Sequence, residues 1–195
     1  KENSIGLING LWANASGKGG IIQIETSFYA SSSLFELKLT GSQGDIMKES
    51  MNVAKTLAWS FLNDATKKKL LKRKETGDQG IHIHCPEGSV PKDGPSAGTA
   101  ITVAIFSLLN EKKINHRLAI TGEINLQGRV TAIGGLELKI LGGIKAGINH
   151  FLFPKENETQ YNLFLEKYKD KDVIPKETKF TSVEDISDVL DIVYV

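Results

Sequence analysis

Ile22, Ile24, Thr26 and Phe28 alternate with more polar neighbours, and Phe35, Leu37 and Leu39 do the same after Ser31-Ser32-Ser33. Period-two alternation on both sides of a turn-forming cluster predicts an antiparallel hairpin. The period then changes. Asp45 is placed to cap a helix whose stripe is Val53, Leu57 and Phe61, with Ala54, Ala58 and Leu62 beside it. Lysines crowd its end, where they suit the negative pole of the helix dipole. Ile81, Ile83 and Cys85 alternate with His82 and His84, which predicts a strand. An uncharged run from Ala97 to Asn110 predicts a buried helix ending near Leu109, and it is too short to span a bilayer.

Further along, Leu118 to Ile120 and Gly128 to Ile133 read as strands. Leu136, Ile140 and Ile144 mark a helix ended by Gly147. Phe151-Leu152-Phe153-Pro154 is a short strand and stop. A helix over Leu163–Tyr168, a strand near Phe180 and a last helix with Ile186, Val189, Leu190 and Val193 on one face complete the pattern. Strands and helices mix without strict alternation, which predicts an α+β, or mixed α/β, fold. No internal repeat, low-complexity linker or domain boundary interrupts residues 1–195, and the length suits one domain.

Composition narrows the function. A net charge of +1 lacks the basic field of a dedicated nucleic-acid or membrane-surface binder. A single cysteine, Cys85, excludes an internal disulfide and fits a reducing compartment. The start, Lys1-Glu2-Asn3-Ser4, has neither an initiator Met nor an apolar leader, so a piece of a longer polypeptide is expected.

The chemistry concentrates in Pro91-Lys92-Asp93-Gly94-Pro95-Ser96-Ala97-Gly98, with Lys139 lying 43 residues beyond Ser96. The block puts a hydroxyl where a turn becomes a helix, and the amides of a first helical turn can hold a developing negative charge. A serine there needs a base. A lysine desolvated enough to be neutral is the most economical one. Leu138, Ile140 and Leu141 give Lys139 apolar neighbours. Against this stands the ordinary reading of Ser96 as a helix N-cap and Lys139 as a solvated lysine.

His82 and His84 share a strand face. They suit a metal pair lacking a third ligand, a histidine base for Ser96, or hydrogen-bonded sheet residues, the last being the commonest role. Cys85 faces the other way as a small core residue. The run from Lys67 to Lys74 reads as a solvated helix end. Trp12 fits either a substrate-binding surface or a half-buried anchor. Ser16-Gly17-Lys18-Gly19 is not a Walker loop, because Trp12 stands where the first glycine belongs and Gly19 where Ser or Thr belongs.

These blocks together resemble the proteolytic domain of Lon, the ATP-dependent protease family. The resemblance runs through Gly10-Leu11-Trp12, Leu39-Thr40-Gly41, Gly44 to Ser50, His82 to Gly88 and the serine block. It continues through Thr121-Gly122-Glu123-Ile124, Gly128-Arg129-Val130, Ile133 to Leu136 and Pro154-Lys155-Glu156-Asn157. It implies a ribosomal-protein-S5-domain-2-like fold and a serine endopeptidase with a Ser96–Lys139 dyad. It also implies that Thr121 orients the lysine and that the amides around Asp93–Ser96 supply an oxyanion site; Asp93, Gly94 and Pro95 are then candidates to shape or gate it. Expected partners are polypeptide substrates and further copies of the chain, as a hexamer in the full-length family, without membrane or nucleic acid. No cofactor or metal is expected here; ATP and Mg²⁺ belong to an ATPase module absent from these residues. The compartment implied is the cytoplasm or the mitochondrial matrix. The chain departs from the family at Glu137-Leu138, where a charged pair is usual, and at Leu141-Gly142-Gly143, where alanines are usual. Two other readings are a small-molecule kinase of related fold and a catalytically idle assembly domain. Pro95 removes an amide a phosphate would want, and the presence of both Ser96 and Lys139 opposes the second reading.

Overall fold

Backbone alternation and burial place seven strands in one mixed sheet. The computed structural model describes residues 2–41, 44–86 and 95–195, with the side chain of Pro95 excepted. In chain order the strands are β1 (Ser4–Ile5), β2 (Leu7–Ala13), β3 (Gly19–Tyr29), β4 (Leu37–Thr40), β5 (Gly80–His84), β6 (Lys113–Ile114), β7 (Leu118–Ile120), β8 (Glu123–Ile124), β9 (Val130–Thr131), β10 (His150–Pro154) and β11 (Lys179–Val183). The helices are α1 (Asp45–Ser60), α2 (Asp64–Leu71), α3 (Gly98–Asn110), α4 (Leu136–Lys145), α5 (Glu158–Tyr168) and α6 (Ile186–Leu190). The main sheet has the order β11-β10-β7-β2-β3-β5-β4. β3 is antiparallel to β2 and β5, and the remaining pairs are parallel. This is the α+β architecture that the element pattern implies. Among the described residues no helix is long and apolar enough to cross a membrane.

The expected hairpin between residues 22–28 and 35–39 does not form. β5 lies between β3 and β4. Phe35 explains the step: it is 5 % exposed, takes φ 56° and meets the Trp59 ring of α1 edge-on at 5.3 Å. Its side chain leaves the alternation to plug the core, and Ser31 and Phe35 bond instead to Gly77 and Gln79 ahead of β5.

β2 carries a continuous buried run, Ile8 to Leu11, in place of an alternation. Both of its faces are covered, which is why period-two reading passes over it. Ile8 belongs to a core shared with α1 and α3, and Leu11 to a second core shared with α4, α5 and Phe151. Buried Asn9 is satisfied by donating to the carbonyls of His116 and Leu118 at 2.9 and 3.0 Å. α3 is buried over Gly98–Leu109, as the uncharged run predicts. α1 starts at Gly44, not with an Asp45 cap; Asp45 sits in the first turn, where its charge suits the positive helix pole. Its buried stripe is Met47, Met51, Ala54, Leu57 and Ala58, so Phe61 falls outside it, 41 % exposed. The lysine-rich segment is a helix of its own, α2, whose Asn63 cap accepts from the Thr66 amide at 2.8 Å. Of the strand expected over 128–133, Val130–Thr131 forms a strand, paired with Glu123–Ile124, and Arg129 makes an isolated bridge to Asp185.

α4 approaches the β2–β3 hairpin backbone to backbone. A Cβ at Gly142 would overlap the Gly19–Gly20 peptide, and one at Gly19 would overlap the Leu138 carbonyl. Alanine ordinarily stabilises a helix interior by about 1 kcal/mol over glycine. Here the sign reverses. Gly142→Ala is expected to destabilise by about 1–3 kcal/mol in urea unfolding. Gly134→Ala, with nothing within 4 Å, is expected to show no such loss.

Candidate active site

Lys139 is 4 % exposed on α4, between Leu136 and Ile140 of the second core. Its Nζ donates to Thr121 Oγ1 at 3.2 Å. Burial pushes the ammonium down to about 8 from the ordinary lysine value of 10.5, and the nearby Glu123 carboxylate acts in the opposite direction. A neutral amine is therefore within reach at mildly alkaline pH.

Thr121 follows the end of β7 and is fully buried, its amide donating to the Leu152 carbonyl at 3.2 Å. The next residue turns the corner to the serine. The Gly122 amide donates to the Ser96 carbonyl at 2.9 Å, and the Gly122 carbonyl accepts from the Thr99 amide at 3.1 Å and the Thr99 hydroxyl at 2.9 Å. A side chain at 122 would collide with Thr99 and Val130, so only glycine allows this approach. Adjacent residues, Thr121 and Gly122, thus hold the lysine by its amine and the serine turn by its backbone.

Ser96 is half-buried in the short 3₁₀ turn Pro95–Ala97 that leads into α3. The N-cap of α3 is Ala97, with no side-chain cap bond. The N-cap role that competes for Ser96 is therefore not realised. Asp93 and Gly94 lie outside the described residues, as does the Pro95 side chain, so the oxyanion and gating expectations rest on the sequence.

His82 and His84 are not joined to Ser96 or Lys139. Both bond Thr40 Oγ1, at 2.8 and 2.7 Å. Burial, then the charges of Lys38 and His84, holds His82 below the ordinary imidazole value. Trp12 donates Nε1 to the Ile21 carbonyl at 3.2 Å and lies against Gly20, across the hairpin. That bond anchors the hairpin. The lysine-rich segment finds partners within the chain: Lys67 over the Trp59 ring, Lys69 against Glu111, and Arg73 over Phe28 and against Asp78. Cys85 is fully buried in the first core.

The Ser16–Gly19 turn is closed on itself. Asn14 Oδ1 accepts from the Ser16 and Lys18 amides, and the Asn14 carbonyl from the Gly17 amide. Those amides are not available as a phosphate cradle, so ATP does not fit this loop.

Three neighbours escaped sequence reasoning. Glu123 opposes the effect of burial at Lys139; its only signal is its place two residues after Thr121. Thr99 grips Gly122 from one turn beyond Ser96. Glu137 accepts from Lys167 Nζ and Tyr168 Oη, both at 2.7 Å, which ties α4 to α5 and holds the Glu137 carboxyl below its ordinary value.

The buried lysine has a thermodynamic signature. Its folded value is lower than its unfolded one, so the native chain binds fewer protons between about pH 8 and 10.5. Its full contribution to stability is present above the unfolded value and is lost as pH falls through the folded one. At pH 7 the ammonium costs about 3 kcal/mol. Lys139→Met, after losing the Thr121 bond, is expected to gain about 2 kcal/mol in urea unfolding at pH 7, with the gain vanishing above about pH 10.5.

Comparison with known proteins identifies the family of the chain. The family model described as the Lon protease (S16) C-terminal proteolytic domain matches residues 1–195. A Lon protease homolog of Acanthamoeba polyphaga mimivirus is 44% identical over 172 residues, covering 86% of this chain and 16% of that protein. The Lon protease of Clostridium acetobutylicum is 38% identical over 191 residues, covering 98% and 23%. A mitochondrial Lon protease homolog of Scheffersomyces stipitis is 37% identical over 194 residues, covering 97% and 17%. The chain thus spans less than a quarter of the length of these relatives. On a match that runs from its first residue to its last, the chain belongs to the Lon protease C-terminal proteolytic domain family.

Proposed function

We propose that this domain is a serine endopeptidase that cleaves unfolded or damaged polypeptides, with Ser96 as nucleophile and Lys139 as general base. The supporting observation is the Thr121–Gly122 corner, which binds Lys139 Nζ on one side and the Ser96 carbonyl on the other. In the reaction the neutral Lys139 amine takes the Ser96 hydroxyl proton as Oγ bonds the scissile carbonyl carbon. The carbonyl π electrons move to oxygen. Amides of the Asp93–Ser96 segment hold that charge more strongly than the ground-state carbonyl. Collapse of the intermediate expels the amine, which takes the proton from Lys139. Water, activated by the same lysine, then frees the acyl group. Thr121 is a positioning residue, and Trp12 contributes to the substrate surface at the hairpin end.

The same reading assigns the chain to a homo-oligomer, a hexamer by family expectation. ATP and Mg²⁺ act on a separate ATPase module, and the compartment is the cytoplasm or the mitochondrial matrix. Fluorophosphonate labelling followed by peptide mass mapping tests the nucleophile. The adduct is expected on Ser96 and is expected to be lost in Lys139→Arg. Labelling confined to another residue refutes the assignment.

A further inference from the structure

Asn157 is 1 % exposed, and both ends of its side-chain amide are engaged. Oδ1 accepts from the Ile133 amide at 2.9 Å, and Nδ2 donates to the Ile133 carbonyl at 2.8 Å. Beside it, Glu156 Oε1 accepts from the Ala132 amide at 2.8 Å. One side chain thus exchanges two bonds with a single backbone residue, as an antiparallel partner strand would. A buried amide held at both ends admits one placement of its partner, because any slip leaves polar groups unpaired away from water.

Ile133 packs against the second core two residues before Gly135, the N-cap of α4. Gly135 takes φ 69°, and no side chain caps the helix. The Gly135 carbonyl accepts from the Lys139 amide at 3.0 Å. Gly134 and Gly135 bring no side chains to fix the start of α4, so the strap on Ile133 fixes it. The strap hangs from β10, since Asn157 ends the 3₁₀ turn Lys155–Asn157 that follows that strand. β10 also holds the amine's partner: the Leu152 carbonyl accepts from the Thr121 amide, and the Thr121 hydroxyl accepts from Lys139 Nζ. One strand therefore sets both ends of Lys139, its amine through Thr121 and its backbone through Asn157, Ile133 and Gly135.

We propose that Asn157 is a positioning residue for the base of the peptidase reaction, with Glu156 as its exposed auxiliary. This rests on the reading of Lys139 as that base. Asn157 acts through Ile133 and Gly135 and not on the reacting atoms. Releasing the strap lets the first turn of α4 shift and water reach Nζ. Hydration removes the burial that holds the amine at about 8, while the Glu123 carboxylate still favours the ammonium. The base is then displaced and also more often protonated.

Peptide hydrolysis by the intact protein, measured across pH, tests this. Asn157→Leu, close in shape and without polar atoms, is expected to lower kcat about 10²-fold with KM within about twofold of the parent. The inflection of the kcat profile is expected to rise by about one pH unit. Glu156→Ala is expected to move it the same way by less. Glu156→Gln, whose side-chain oxygen can still accept from Ala132, is expected to match the parent. A merely structural residue would lower the melting temperature and scale kcat equally at every pH; an inflection left in place overturns the proposal. Should Asn157→Leu fail to fold, an unmoved inflection in Glu156→Ala does the same. Urea unfolding at pH 7 gives a readout without catalysis. Lys139→Met is expected to stabilise the Asn157→Leu background less than the parent, because the lysine is already hydrated there. An undiminished gain overturns the positioning role whichever group is the base. Failure of the dyad itself shows separately, as an active Lys139→Arg.

Discussion

Ser96→Ala is expected to abolish peptide cleavage in the intact protein, with a loss of roughly 10⁴–10⁶-fold in kcat, the range for removing a serine nucleophile. No other described group can substitute for it. Cys85 is fully buried, and Thr121 and Thr99 already donate to or accept from fixed partners. The Ser96 side chain does not cap α3, so its removal leaves the helix start as it was. The melting temperature is therefore expected to stay within a few degrees of the parent. A fluorogenic peptide assay on the folded variant decides the matter: near-parental cleavage would end the dyad assignment.

Lys139→Arg is expected to be as inactive, for a different reason. A guanidinium stays protonated at any working pH and cannot take the serine proton. The same argument sets the pH profile. Because burial holds the Lys139 amine at about 8, activity is expected to be small near neutrality and to rise tenfold per pH unit below that value, levelling off above it. Removing the Glu123 carboxylate with Glu123→Gln takes away the influence that favours the ammonium, so the limb is expected to move to lower pH. A profile with an inflection near the ordinary imidazole value, abolished by His84→Asn, would transfer the base role to a histidine.

The candidate dyad could be read from the sequence because its residues stand in short contiguous blocks. Pro95-Ser96-Ala97-Gly98 announces a turn entering a helix, and the apolar neighbours of Lys139 announce its burial. The joint between them was only half legible. Thr121 entered by family resemblance, while the role of Gly122 depends on a backbone bond to Ser96 that no pattern encodes. The fold shows the same division. α3 and α4 follow their apolar runs, but β2 hides because both faces are covered. β3 and β4 look like a hairpin until Phe35 turns into the core and β5 inserts between them. Alternation reports which side chains face inward and carries no information about which strand lies beside which. Glu25 and His84 are neighbours only through that pairing.

The serine turn rests on the first core through Ala97 and Ala100, whereas the lysine is flanked by Leu136 and Ile140 of the second. The two proposed reacting groups thus belong to separately packed bodies on opposite faces of one sheet, joined at a two-residue corner. Thermal inactivation and thermal melting are then different events. If α4 and α5 loosen first, base and nucleophile separate while α1, α3 and the central strands still hold, and loss of activity on heating is expected to precede loss of circular dichroism. Substitutions far from the serine, at Phe164 for example, would act as if they had changed the catalyst, although they touch only the platform under it.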